Sequence, residues 1–339
     1  MATRAFITGC SGLALTRDER AFCRDAEPWG LILFGRNIGS HEQIRRLCAD
    51  FREAVGRDDA PVLIDQEGGR VQRIRAPLAI NHPAAARYGA LHADHAEAGV
   101  AAARLGAELM AVELSGLGIT VDCLPVLDLP TEGMTRAIGD RAYAPVADAV
   151  TALGRAVIEG TLAGGVLPVV KHMPGHGRAK VDSHFELPRV SASREVLEAT
   201  DFAPFKALAD APIGMTGHIV FEAIDPDRPA TVSPIVLGEI VRGFIGFDGL
   251  LMSDDISMKA LKGRVGARAA AALAAGCDIA LYCKGDMGEM KEVAAAAPRL
   301  EGRSAERADR ALSLLRARPS VDIAALAAER DRLLAGAVA

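Results

Sequence analysis

LPVVKHMPGHGRAKVDSH, residues 167–184, begins as a strand and ends as a loop. The apolar run at 167–170 leads into Lys171-His172, and its length suits one buried strand over 167–172. Pro174, Gly175 and Gly177 then interrupt any regular hydrogen-bonding pattern, so the charged stretch 171–184 reads as neither helix nor strand. Short apolar runs of the same kind recur on both sides: AFIT (5–8), LILF (31–34), VLID (62–65), ITVDCLPV (119–126), IGMTGH (213–218), LLMSD (250–254) and DIALYC (278–283).

Between these runs lie helical patterns: HEQIRRLCADFREAV (41–55), HAEAGVAAARLGAELMAVELSG (95–116), ALGRAVIEGTLAG (152–164), SREVLEATDFAPFKALA (193–209), PIVLGEIVRGF (234–244) and GARAAAALAAG (266–276). Strands alternating with helices favour a parallel sheet, because parallel neighbours need long crossover connections. Eight strands is also the number that closes a barrel. The expected fold is therefore α/β, a single (β/α)8 barrel over residues 1–339, with a doubly wound open sheet as the alternative. No linker, repeat or low-complexity tract divides the chain, and AERADRALSLLRAR (305–318) is expected among the closing helices.

Several strand candidates end on charged or imidazole groups. VLI ends on Asp65, LPVV on Lys171-His172, IGMTG on His218 and LLMS on Asp254-Asp255. One such aspartate is commonly a helix cap. Four strands ending this way mark a site, since the carboxyl ends of barrel strands converge on one rim.

In 171–184, His172, His176, Asp182 and His184 are residue types that could ligate zinc. Against a metal stands the fixed charge of Lys171, and Pro174 with its neighbouring glycines forbids the helix on which an H-x3-H pair would share a face. Asp182-Ser183-His184 suggests instead a carboxylate orienting an imidazole, a proton-transfer pair that works near neutral pH. Asp254 then offers a carboxylate able to attack carbon.

Composition narrows the partners. Lys and Arg total 39 against 44 Asp and Glu, a net charge of -5 without one-signed blocks, so there is no footprint for nucleic acid or an anionic membrane. Six cysteines lacking any C-x-x-C pair read as reduced, buried thiols. No apolar run has the length of a membrane helix, and the apolar stretch at 5–7 is too short for an export signal. The expectation is a cytoplasmic protein acting on a small molecule, of unstated oligomeric state.

Four separated motifs, LIDQEGGRVQR (63–73), IGDRAY (138–143), KHMPGHGRAKVDSH (171–184) and LMSDDISM (251–258), with the shorter MTGH (215–218) and RPATVS (228–233), span most of the chain. Together they resemble the glycoside hydrolase family 3 β-N-acetylglucosaminidases of the short, single-barrel bacterial type. The resemblance implies Asp254 as nucleophile and His184 as general acid/base, paired with Asp182. Asp65, Arg73, Arg141, Lys171 and His172 would bind the terminal N-acetylglucosamine, and Asp255 competes with Asp254 for the nucleophile's role. Retaining glycosidases ordinarily pair two carboxyl groups. Here His184 would take the acid's place.

The implied substrate is N-acetylglucosamine linked to 1,6-anhydro-N-acetylmuramic acid, with or without a peptide, in cell-wall recycling. No metal or cofactor is implied. A metal-dependent barrel hydrolase using His172, His176 and His184, a phosphorylase of the same family and a non-catalytic sugar sensor are the alternatives. Three positions depart from the family pattern: Met173 where Phe is common, Gly217 where Ala is common and Tyr143 near a frequent Phe. None removes a catalytic group, and their effect on the pocket wall and the preferred aglycone is left open by the sequence.

Overall fold

Alternation along strands decides which side chains enter the centre of this protein. The computed structural model describes residues 3–183, 185–317 and 319–336. Its main sheet is a closed barrel of eight strands: β1 (Arg4–Thr8), β2 (Pro28–Leu33), β3 (Val62–Ile64), β4 (Val121–Asp122), β5 (Leu167–Met173), β6 (Ile213–Thr216), β7 (Leu250–Asp255) and β8 (Ile279–Leu281). Each strand pairs in parallel with its neighbours in chain order, and β1 closes on β8 through Phe6↔Ala280 and Ile7↔Leu281.

Leu63, Val121, Val169, Met215, Met252 and Leu281 pack inside the barrel as one apolar cluster. Two residues beyond Leu63, Val169 and Met252 stand Asp65, Lys171 and Asp254, on the same inward face at the carboxyl-terminal rim. The period of two carries each strand from apolar filling to charge at one level. Outward-facing residues of the strands pack instead against the surrounding helices.

Local sequence explains many element ends. The helix His41–Val55 starts at a capping box, Ser40 with Gln43, and ends at Gly56 in the left-handed region (φ 66°). Its buried face is Ile44, Leu47, Cys48, Phe51 and Val55, a helical spacing.

Other boundaries differ from the sequence expectation for identifiable reasons. The stretch 193–209 divides into Arg194–Ala199 and Ala203–Ala207. Pro204 has no N–H to continue a helix, and the buried Asp201 is drawn into an ion pair with Arg178 at 2.6 Å. The expected strand 119–126 shortens to Val121–Asp122, because Pro125 cannot donate to the ladder, although Val126 still bridges to Lys171. Lys171–Met173 is strand, contrary to the reading of the whole 171–184 stretch as loop. The helix expected over 305–318 runs as Gly302–Leu312, and helices at Arg17–Ala26, Ala85–Asp94, Met287–Ala296 and Ile323–Leu334 were not expected.

All six cysteines are buried and free, and no helix of the described residues is long and apolar enough to cross a membrane.

Candidate active site

A pocket of about 270 Å³ opens at the carboxyl-terminal rim of the barrel. Asp65, Arg73, Arg141, Lys171, His172, Asp182 and Asp254 all line it. His184 lies outside the described residues. The structure thus gathers every described member of the set proposed from sequence, from segments up to 189 residues apart in the chain (254 − 65).

Their charges are interlocked. Lys171 Nζ donates to Asp65 Oδ1 at 2.9 Å and lies 2.6 Å from Glu67 Oε1. Arg141 grips Glu67 with two bonds, Nε to Oε2 at 2.7 Å and Nη2 to Oε1 at 2.8 Å. Arg73 Nη2 donates to Asp65 Oδ2 at 3.0 Å, and its guanidinium lies 5.1 Å from the Phe34 ring centre. Burial would raise the pKa of Asp65, but Lys171 and Arg73 hold it well below the usual carboxylate range. Glu67, pushed up by burial and down more strongly by Arg141 and Lys171, falls to about 2. Burial likewise opposes the charge on Lys171, yet Asp65 and Glu67 raise its pKa well above normal. Asp65, Glu67 and Lys171 are therefore ionised at neutral pH. A lysine ammonium carries three N–H donors, so one remains for a ligand hydroxyl.

Asp128 is the second organiser. Its Oδ2 accepts from His172 Nδ1 at 2.7 Å, while Oδ1 accepts the backbone N–H of His172 at 3.2 Å and of His176 at 2.7 Å. That contact orients the His172 ring and leaves Nε2 for the pocket. Gly177, just beyond, packs so tightly that an added Cβ would lie 1.7 Å from the Leu129 carbonyl oxygen. Only glycine lets the loop pass there.

Glu67 and Asp128 were not proposed from sequence. Glu67 was legible, because it continues the alternation Leu63, Asp65, Glu67. Asp128 stands two residues beyond Val126, the residue that bridges to Lys171, and only that pairing reveals its position.

Asp254 and Asp255, which sequence left as competitors, are placed differently. Asp254 lines the pocket, and its Oδ1 accepts the Asp255 N–H at 2.7 Å. Asp255 lies outside the pocket lining, its carboxylate accepting from Ser257 N, Ser257 Oγ and Cys283 N at 3.0, 2.6 and 3.3 Å. Burial raises the pKa of Asp255.

His218 is a correction to the strand-end pattern, for it does not line the pocket. Its ring bridges Thr231 Oγ1 at 2.8 Å and the Asp255 carbonyl at 3.0 Å, bracing the end of β7 from beneath. The place of Met173, open from sequence, is settled by the fold. It is fully buried in the cluster outside the barrel and leaves the pocket wall unchanged. Tyr143 also packs in that cluster. Gly217 does matter locally: an alanine methyl there would lie 3.2 Å from His172 Cβ and 3.3 Å from His176 Cδ2.

His176 is buried in the pocket wall, edge-on to His172 at 5.8 Å, and neither ring nitrogen has a hydrogen-bond partner among the described residues. Burial lowers its pKa to about 4. Among the described residues no three His, Cys, Asp or Glu side chains are grouped to hold a metal ion.

The low pKa of His176 has a measurable consequence. Unfolded, the imidazole takes up a proton near pH 6.5, and folded only near 4, so stability is lost as pH falls across that window. The loss should reach about 3 kcal/mol at pH 4. His82, also lowered by burial, acts in the same direction. Below pH 4 the depressed carboxylates Asp65, Glu67 and Asp128 add to the loss. Urea midpoints between pH 7 and pH 4 should fall steeply for the wild type and less steeply for His176→Leu. Parallel curves for the two proteins would contradict this assignment.

A closed parallel barrel whose carboxyl-terminal rim carries carboxylates among hydrogen-bonding cations is the arrangement of a barrel glycoside hydrolase. Residues 10–316 match the glycosyl hydrolase family 3 N-terminal domain, and the chain belongs to that family. It is 41% identical over 280 residues to a β-hexosaminidase of Alkalilimnicola ehrlichii, covering 81% of this chain and 79% of that protein. It also resembles NagZ from Neisseria gonorrhoeae in complex with N-trifluoroacetyl-D-glucosamine, with a TM-score of 0.87, 30% identity and coverage of 99% and 98%. A structure of the same NagZ in complex with zinc ion gives a TM-score of 0.86 and 29% identity over 100% and 99% of the two chains. The chain is thus a glycoside hydrolase on a (β/α)8 barrel.

Proposed function

We propose that this protein is a retaining exo-β-N-acetylglucosaminidase that removes terminal N-acetylglucosamine from peptidoglycan fragments. The observation that carries this reading is the placement of Asp254 in a pocket whose other wall is the Asp65–Lys171–Glu67–Arg141 network. The size of that pocket suits one sugar ring, which favours action at a chain end. The names of the relatives support N-acetylhexosamine as the sugar. The fragment is taken to be N-acetylglucosaminyl-1,6-anhydro-N-acetylmuramic acid, with or without peptide, and the setting cytoplasmic cell-wall recycling.

In the proposed reaction the Asp254 carboxylate attacks the anomeric carbon as the bond to the leaving oxygen breaks. His184, oriented by Asp182, gives that oxygen its proton. The glycosyl ester on Asp254 is then attacked by water, which surrenders a proton to His184, restoring both groups. Lys171, Arg73, Arg141, Asp65 and His172 hold the ring hydroxyls and acetamido group, and the carboxylates favour the positive charge that develops on the sugar.

The test compares an aryl β-N-acetylglucosaminide, the matching aryl β-glucoside and a β-1,4-linked N-acetylglucosaminyl disaccharide. The N-acetylated aryl substrate should turn over and the glucoside should lag far behind. Chelator or added zinc should change little, and free N-acetylglucosamine should appear even in phosphate buffer. His184→Ala should slow the disaccharide by about two to four powers of ten, and the activated aryl glycoside much less, because an aryl leaving group needs little protonation. Metal-dependent turnover would favour the histidine-cluster hydrolase, and sugar 1-phosphate the phosphorylase. Equal losses on both substrates would remove His184 from the mechanism.

A further inference from the structure

The helix Ile323–Leu334 packs against the helix Ala96–Ser115 on the outside of the barrel. Its neighbouring charged residues Glu329, Asp331 and Arg332 keep their side chains largely in solvent, whereas Arg330 is only 2% exposed. A guanidinium is costly to bury unless its donors are used. Arg330 Nη2 lies 2.8 Å from Asp331 Oδ1, and Nη1 lies 3.2 Å from His82 Nδ1. Arginine has donors and no acceptor, so Nδ1 must accept and the ring proton of His82 sits on Nε2. That nitrogen lies 2.8 Å from Glu113 Oε2. Burial, which lowers the pKa of His82, favours this neutral ring. The imidazole is thus gripped from two helices at once.

The main chain of the same residue supports the pocket wall. His82 N donates to Gln72 Oε1 at 2.9 Å, and its carbonyl accepts from Gly69 N at 2.8 Å. Gly69 and Gln72 lie in the short antiparallel hairpin formed by Gln66–Gly68 and Val71–Gln72. The hairpin also packs close, for a Cβ added at Gly68 would strike the Pro83 carbonyl. Glu67, Arg70 and Val71 reach the pocket from this hairpin. Arg73 follows it directly, its N–H held by Gln66 Oε1 at 2.9 Å. Contacts therefore run unbroken from Arg330, through His82, to charged groups of the pocket.

We propose that Arg330 is a positioning residue for the reaction, acting through His82 to fix the hairpin that places Glu67 and Arg73 in the pocket. The proposal rests on the reading of that pocket as the site for terminal N-acetylglucosamine. Arg330 itself does not line the pocket. Without its guanidinium the His82 ring keeps Glu113 and loses its second anchor, which frees the backbone at Gly69. The sugar is then held less well, while the chemistry at Asp254 is left in place.

The test uses the full chain and an aryl β-N-acetylglucosaminide. Arg330→Met, which keeps the buried stem, should raise KM about tenfold and change kcat by less than about threefold, the pattern of weakened uniform binding. Arg330→Lys should recover part of the loss, because an ammonium can still donate to Nδ1. Arg332→Met, on the solvent side of the same helix, should leave KM unchanged. Amide hydrogen exchange over 66–72 should quicken in Arg330→Met and stay at the wild-type rate in Arg332→Met. Thermal melts show which variants are folded at the assay temperature. If Arg330→Met is not, Arg330→Lys must by itself raise both KM and the exchange rate over 66–72. An unchanged KM in the folded variant, a loss confined to kcat, or unaltered exchange over 66–72 would overturn the positioning role and leave the glycosidase reading intact. A wild-type protein that cleaves no aryl N-acetylglucosaminide would refute that reading and this proposal with it.

Discussion

Asp254→Ala is expected to lower kcat/KM by about four powers of ten or more, the scale on which enzymes lose activity when a bond-forming group is removed. The fold should survive, because Asp254 stands at the partly exposed carboxyl-terminal end of β7, where its Oδ1 accepts the Asp255 N–H. Asp255→Ala should behave in the opposite way. That carboxylate joins the loop after β7 to the end of β8 through Ser257 and Cys283, so its loss should cost stability and spare more activity. Thermal melts recorded beside the kinetics separate the two. A fluorinated mechanism-based sugar should leave its covalent label on Asp254, located by peptide mapping. A label on Asp255, or turnover with inversion and no label, would reassign the nucleophile.

Lys171→Met should damage both stability and binding. The ammonium is almost wholly buried and is shared by Asp65 and Glu67. Removing it leaves two largely buried carboxylates balanced, among the described residues, by Arg73 and Arg141. Breaking a buried pair in this way costs about 3–5 kcal/mol. The depressed pKa values of Asp65 and Glu67 should rise together, so the variant should begin to unfold at a higher pH than the wild type on acidification. Loss of one charge-assisted bond to the substrate should also lower kcat/KM by about ten- to a hundredfold. Wild-type stability in Lys171→Met, measured by urea unfolding at neutral pH, would show that the network carries no such weight.

How far the site could be read from the chain depends on the kind of contact involved. Asp65 and Lys171 were legible because each lies two residues past an interior apolar residue of its own strand segment, so strand alternation aims it inward. Glu67 obeys the same rule and needed only one more step of it. Asp128 was not legible, since Pro125 interrupts its strand and its role comes from pairing with another strand. His218 looked like a rim residue by the same pattern, yet hydrogen bonds to Thr231 and Asp255 turn it into a brace.

By itself the sequence determined eight strands alternating with helices and the strand ends that carry the chemistry, while closure into a barrel instead of a doubly wound sheet was decided by the strand order of the folded protein. The strands and their ends follow from hydrophobic period, strand count and the crossover connections that parallel strands require, all of which are local or additive properties of the chain. Tertiary structure alone decided how the charges are partnered. Whether Arg73 and Arg141 bind substrate or form ion pairs had no answer in spacing. In the folded protein they line the pocket and hold Asp65 and Glu67 at once. Which of two adjacent aspartates enters the pocket was likewise undecided, because it depends on the hydrogen bonds waiting on each side of β7. The physical reason is the same in both cases: a buried charge is stable only beside its partner, and those partners lie on segments that closure of the barrel brings together.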